Sequence, residues 1–235
     1  MNAERLFVAL DQPTLGEALA LVAQLEPLVV RYKVGLELFS AVGPLSVRAL
    51  VERGAEVLLD LKLHDIPETV RRAARVAMTS GAKWLTVHTD GGPAMLRAAV
   101  AGAHPAKVLG VTVLTSLDLV DLEAVGTHVV HMEELVVQRA RLALDAGCAG
   151  VIASPREVAA LRAALGKDFL IITPGVRPAG AAGGSGSSGA DDQKRTATPG
   201  AAIAAGASAV VVGRPIRDAP EPRAVAAAVL AELGV

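Results

Sequence analysis

An acid, an ammonium two residues later and a second acid three beyond that make Asp60 to Val70, DLKLHDIPETV, the stretch best supplied for proton transfer and charge stabilisation. The apolar run Val57-Leu58-Leu59 leads into it as a buried strand would. Asp65, Pro67 and Glu68 then carry the marks of a helix start. Side chains alternate along a strand, so Asp60 and Lys62 are expected on one face, with Leu61 and Leu63 on the other. In a parallel barrel, a charged pair at the carboxyl end of a strand lies where active sites are built. A structural alternative stays open: Asp65 and Glu68 have the Asp-x-x-Glu spacing of a helix capping box.

Other constellations offer less. His88-Thr89-Asp90 suggests metal ligation, but no second cluster supplies further ligands at a recognisable spacing, so no metal is expected. His64, His104, His128 and His131 read as rim, loop or helix residues. No Ser-His-Asp or Cys-His arrangement stands out. The one cysteine, Cys148, sits in Gly147-Cys148-Ala149-Gly150 and reads as a small buried residue. With no partner for an internal disulfide, it matches a reducing, cytoplasmic setting.

These residues need a scaffold, and composition narrows it. At 235 residues, the chain suits one large domain spanning residues 1–235. Hydrophobic residues make up 52% but aromatics only 2%, so the core must be Ala, Val, Leu and Ile, which favours helices packed on parallel strands. With 23 Lys plus Arg against 24 Asp plus Glu, there is no charge excess to attract nucleic acid or a membrane surface. The amino-terminal apolar run stops at Asp11, unlike a signal peptide, and no segment approaches a membrane span.

Eight strand-like runs are read at Leu6–Leu10, Val29–Lys33, Val57–Lys62, Trp84–His88, Val108–Leu114, Gly150–Ala153, Leu170–Thr173 and Ala209–Gly213. Helical stretches follow near Leu15–Leu25, Gly43–Arg53, Pro67–Ser80, Pro93–Gly102, Met132–Ala146, Pro155–Leu165, Thr198–Ala205 and Arg223–Leu233. Strict alternation repeated eight times predicts an α/β fold closed into a (β/α)8 TIM barrel. An open doubly wound sheet is the alternative, but no glycine-rich dinucleotide turn follows the first strand.

Closing the barrel would gather polar residues on one rim: Asp11 after the first strand, Lys33 on the second, Asp60 and Lys62 on the third, and His88 with Asp90 at the fourth. Thr115 and Ser116 follow the fifth. Arg177 after the seventh strand and Gly213 with Arg214 after the eighth occupy loops in which barrels commonly hold a phosphate. Between them, Ala179 to Ala190, AGAAGGSGSSGA, reads as a flexible loop of the lid type, ending in Asp191-Asp192-Gln193-Lys194-Arg195.

Taken together, DLKLHDIPETV, Leu10-Asp11, Tyr32-Lys33-Val34-Gly35, Thr112 to Ser116, Thr173 to Pro178, Asp192-Gln193-Lys194-Arg195 and Val212-Gly213-Arg214 closely resemble the bacterial orotidine 5'-phosphate decarboxylases over essentially the whole chain. The Asp-x-Lys-x-x-Asp core is shared across a wider suprafamily of barrels, and Lys33 with the phosphate-loop residues sharpens the match. The resemblance implies decarboxylation of a nucleoside monophosphate, orotidine 5'-phosphate, to uridine 5'-phosphate in pyrimidine synthesis, with no cofactor. It also implies a homodimer.

By the same resemblance, Lys62 would donate the proton to carbon 6 of the pyrimidine. Asp60, Lys33 and the partner subunit's Asp65 would complete an alternating charge array. Asp11 and Lys33 would contact the ribose, and Thr69 would reach the neighbouring ribose across the interface. Thr115 and Ser116 would meet the base. Arg177, Gln193, Gly213 and Arg214 would hold the phosphate, with Pro174 also among the substrate-binding residues. Nearby carboxylates would keep Lys62 charged. Gly183 to Gly189, GGSGSSG, is extra length compared with the family's usual connection, and a Gly/Ser loop costs more entropy to order. Two alternatives stand beside this reading. One is a metal-dependent sugar-phosphate decarboxylase or aldolase of the same suprafamily, which would carry an acid where this chain has Lys33. The other is a nucleotide-binding barrel without turnover.

Overall fold

A computed structural model describes residues 3–178 and 197–234. Its eight strands are β1 (Leu6–Leu10), β2 (Arg31–Val34), β3 (Glu56–Leu63), β4 (Trp84–His88), β5 (Lys107–Val111), β6 (Gly150–Ile152), β7 (Leu170–Thr173) and β8 (Ala209–Val212). All neighbours pair in parallel, and pairing of Leu6 with Val210 closes the barrel. The predicted (β/α)8 barrel is therefore the observed fold.

Strand parity explains how so apolar a chain delivers charge to one place. Leu6, Val8 and Leu10 of β1 pack outward, as do Tyr32 and Val34 of β2 and Val57 and Leu59 of β3, forming the layer between barrel and helices. The alternate residues Phe7, Ala9, Leu58, Leu109 and Val211 fill the interior. Continuing that alternation brings Asp11, Lys33 and Asp60 to the inside at the carboxyl end.

Two of the few aromatics close the opposite end. Phe7 and Trp84 meet edge to face with centroids 5.2 Å apart, and the Arg31 guanidinium lies 5.0 Å from the Trp84 centroid. Arg31 is anchored there by Glu56, 2.7 Å away. A floor plugged by aromatic rings leaves the carboxyl end as the open mouth.

Several elements depart from the sequence expectation. The helix expected over Gly43–Arg53 is observed as Leu45–Val51, and an unexpected helix, Leu36–Val42, precedes it, ended by Gly43 at φ +62 before Pro44 restarts the chain. The fifth strand ends at Val111 rather than Leu114, which leaves Thr115 and Ser116 in a loop. That loop contains an unpredicted helix, Leu119–Ala124, capped reciprocally by Asp118 and Asp121. The Asp65–Glu68 capping box does not form. Ile66 occupies the cap of the helix Pro67–Met78, Asp65 instead accepts from the Ile66 N–H at 2.6 Å, and Glu68 is drawn away by Arg71 and Arg72. Cys148 is buried as expected, and burial pushes its thiol up to about 12, far from a nucleophile's range. Among the described residues, no helix is long and apolar enough to cross a membrane.

Candidate active site

A cavity of about 250 Å³ opens at the carboxyl end of the barrel. Asp11, Lys33, Asp60 and Lys62 line one side. The Lys33 ammonium stands 2.8 Å from Asp11 Oδ1 and 3.7 Å from Asp60 Oδ2. Lys62 Nζ donates to the same Asp60 oxygen at 2.8 Å. Two acids and two ammoniums thus alternate, and each carboxylate meets at least one cation, as the largely buried Asp60 in particular requires.

Asp60 is the hub. Burial pushes its carboxyl up, but Lys33, Lys62 and hydrogen bonds from Lys62 and Thr86 outweigh this, so it lies below its ordinary value of 3.8. It is an anion at neutral pH. Lys62 is the single non-glycine residue with positive φ, +50, among the described residues. Such a conformation costs on the order of 1–3 kcal/mol and persists only where its surroundings enforce it. Here the enforcing feature is a shift in strand register: Leu59 pairs with Leu85 and Leu63 with Val87, so Asp60, Leu61 and Lys62 together oppose Thr86 alone.

The opposite wall is more apolar. Val111, Val113, Leu114 and Ile152 face the cavity, with Thr115 among them, while Ser116 does not line it. Pro174, Arg177, Gly213 and Arg214 close the third side. The Arg177 N–H donates to the Ala197 carbonyl at 2.9 Å, joining the chain on either side of segment 179–196 beside the cavity. Gln193 and the whole of Ala179–Ala190 lie outside the described residues. Asp65 and Thr69 are exposed on the loop and helix after β3, away from the cavity of their own chain, and next to them Ile66 is 68% exposed. Among the described residues, no group of three His, Cys, Asp or Glu side chains is arranged to hold a metal ion.

Comparison with known proteins matches residues 4–229 to the model of the Orotidine 5'-phosphate decarboxylase / HUMPS family. The chain is 54% identical to the orotidine 5'-phosphate decarboxylase of Anaeromyxobacter sp. (strain K), over 98% of this chain and 99% of that one. It is 47% identical to that of Moorella thermoacetica, over 98% and 92% of the two chains. The chain belongs to the Orotidine 5'-phosphate decarboxylase / HUMPS family. Its barrel superposes on the crystal structure of the Lactobacillus acidophilus orotidine 5'-phosphate decarboxylase with a TM-score of 0.83 at 36% identity, covering 98% of this chain and 99% of that one.

Within this family member, four supporting residues were not singled out from sequence. Thr86 on β4 donates to Asp60 Oδ1 at 2.8 Å. Arg139 reaches from the helix Met132–Asp145 to the Thr112 carbonyl at 2.8 Å, bracing the start of the loop that carries Thr115. Arg217 donates to the Asp11 carbonyl at 2.7 Å and so ties the short helix Arg214–Arg217 after β8 to the end of β1. Gly35 clears space: a Cβ there would lie 2.5 Å from Asp11 Oδ1 and 2.7 Å from Lys33 Nζ, so both side-chain ends would have to shift. Of the four, only Gly35 left a trace in the sequence, as the glycine two residues after a strand-end lysine.

Proposed function

We propose that this chain decarboxylates orotidine 5'-phosphate to uridine 5'-phosphate without a cofactor, the closing step of pyrimidine synthesis, in the cytoplasm. The observation that carries this reading is the Lys62 ammonium, held 2.8 Å from Asp60 at the mouth of a cavity whose far side presents Arg177 and Arg214.

The reaction breaks the bond between ring carbon 6 and the carboxylate. Carbon dioxide leaves, and the electron pair stays on carbon 6, where no adjacent carbonyl shares it. Lys62 stabilises that carbanion and then transfers a proton to it, regaining one from solvent. Asp60, an anion facing the departing carboxylate, disfavours the bound substrate relative to the transition state. At roughly 4 Å and an effective dielectric near 20, one ammonium contributes about 4 kcal/mol. Enzymatic accelerations typically require about 8 to 23. Binding energy from the remote phosphate, gripped by Arg177, Gln193, Gly213 and Arg214, supplies the remainder by aligning the ring. Asp11 and Lys33 meet the ribose, Thr115 with its neighbour Ser116 is assigned to the base, and Pro174 contacts the substrate from the third side.

The chain works as a homodimer. The exposure of Asp65, Ile66 and Thr69 supports their contribution to the partner's site, where Asp65 would be the second carboxylate beside Lys62. The metal-dependent sugar-phosphate alternative is weakened by Lys33. A divalent ion between Asp11 and Asp60 would have to displace an ammonium already 2.8 Å from one and 3.7 Å from the other.

The deciding experiment follows the absorbance of orotidine 5'-phosphate with time for the wild type, for the wild type with a chelator, and for Lys62→Ala. Turnover that survives chelation and disappears in Lys62→Ala is expected. Loss on chelation would favour the sugar-phosphate relatives, and tight binding without turnover in the wild type would make the chain a nucleotide-binding barrel.

A further inference from the structure

We propose that Thr86 is a positioning residue for this reaction, its hydroxyl setting the orientation of both Asp60 and Lys62. The proposal rests on the decarboxylase reading above and extends it to a residue that does not touch substrate.

Thr86 sits in the middle of β4, fully buried, with its side chain directed to the barrel interior. It stands where three residues of β3 oppose one residue of β4. Regular ladder bonding fails there, and the Lys62 N–H needs another acceptor. Thr86 Oγ1 accepts it at 2.9 Å. The same oxygen lies 2.8 Å from Asp60 Oδ1. Because an N–H cannot accept, the single hydroxyl proton must point at the carboxylate, so donor and acceptor roles are fixed without ambiguity.

Two consequences follow for the chemistry. Oδ1 of Asp60 is committed to Thr86, which leaves Oδ2 turned toward Lys62 at 2.8 Å and Lys33 at 3.7 Å. The left-handed turn at Lys62 is held by its own N–H, which fixes the root of the side chain that must deliver a proton to carbon 6. One hydroxyl therefore aligns a ground-state carboxylate and a proton donor that lie two residues apart. Displacement of a reacting group by about 1 Å can cost on the order of 10²-fold in rate.

The test uses the full chain and orotidine 5'-phosphate, comparing the wild type with Thr86→Val, Thr86→Ser and Thr86→Ala. Thr86→Val keeps the shape and removes the hydroxyl. A fall in kcat of about 10²-fold, a smaller change in KM, and an acid limb of the kcat profile moved to higher pH are expected. Ser should recover most of the kcat that Ala loses, since the two differ only in the hydroxyl. This pair decides the matter even where the Val variant fails to fold. A purely structural role would lower the melting temperature and leave kcat per folded molecule alone. The proposal is overturned by wild-type kcat in Thr86→Val, or by Ser performing no better than Ala. Absence of turnover in the wild type is a different result and removes the decarboxylase reading itself, together with the proposal that rests on it.

Discussion

Lys33 and Asp60, on neighbouring strands, face each other across 3.7 Å inside the barrel mouth, with side chains only 12% and 13% exposed. Leu58 is the β3 residue in register with Lys33, so the ammonium reaches one inward position further along to find the carboxylate. Lys33→Met keeps the length and removes the charge, leaving Asp11 without its ammonium and Asp60 with one of two. We expect a loss of about 1–3 kcal/mol in urea unfolding, because a poorly hydrated carboxylate loses a charged partner. Turnover should fall by at least about 10²-fold, as preorganised charge does in other active sites. A variant as stable and active as the wild type would show that the array is ornamental.

Stability should depend on acid in two stages. Burial holds His88 below its ordinary value of 6.5, with Asp90 opposing and His64, Lys62 and Arg139 assisting. Asp60 also lies below its ordinary 3.8, its ammonium partners overcoming the effect of burial. In both cases the unfolded chain binds protons more readily than the folded one, so the contribution is present at neutral pH and is lost on acidification. The His88 contribution fades as pH drops below 6.5, and the Asp60 contribution only below 3.8. Urea unfolding across this range should show a shallow decline followed by a steeper one. His88→Gln should flatten the first and Asp60→Asn should reduce the second, in which Glu56, its carboxyl raised by burial but held low overall by Lys83 and Arg31, also takes part. A decline that keeps its shape in both variants would assign it to other groups.

The barrel and its charged mouth were legible in the sequence because both depend on local pattern. Leu6–Leu10, Trp84–His88 and Leu170–Thr173 are short apolar runs bounded by polar or turn residues, and they coincide with β1, β4 and β7. Placing Asp11, Lys33, Asp60 and Lys62 together needed only alternation and closure. What escaped depends on pairing between strands. The bulge at Lys62 arises from the register of β3 against β4, and the role of Thr86 exists only once that register is set. Arg139 acts across 27 residues and left no local sign. The helix Leu119–Ala124 starts with Asp118-x-x-Asp121, a shorter-armed version of the usual capping pattern with Glu or Gln, and so went unread.

Arg214 tests whether remote binding energy is converted into rate. It lines the cavity on the side away from Lys62's strand and is assigned to the phosphate, which takes no part in bond breaking. If phosphate contacts only tightened ground-state binding, Arg214→Ala would raise KM and leave kcat intact. We expect both to worsen, with kcat at saturating substrate reduced on the order of 10²-fold, because the grip aligns the ring over Lys62. Steady-state kinetics at substrate concentrations well above the new KM separate the two cases. An unchanged kcat would mean that the alignment comes from Asp11, Lys33 and the base contacts alone.

The proposed exchange of Asp65 between subunits can be read without a structure of the dimer. Within one chain Asp65 is exposed, and Asp60 is the carboxylate paired with the Lys62 ammonium among the described residues. In a two-fold dimer each site would take Lys62 from one subunit and Asp65 from the other. Lys62→Ala and Asp65→Ala homodimers are then each broken at both sites. A mixed dimer carries one doubly broken site and one with every native group. Random pairing of equal amounts gives about half mixed dimers, so activity should return to about one quarter of the wild-type value. Dissociating and reannealing the two variants, then assaying orotidine 5'-phosphate decarboxylation against each variant alone, provides the measurement. No recovery from the two inactive variants, with mixed dimers demonstrated by mass, would place Asp65 in the site of its own chain, and an Asp65→Ala homodimer active by itself would place it outside both sites. Recovery near one quarter would also explain why so exposed a stretch, Asp65 through Thr69 at the start of the helix Pro67–Met78, keeps an apolar Ile66: the partner's surface would cover it.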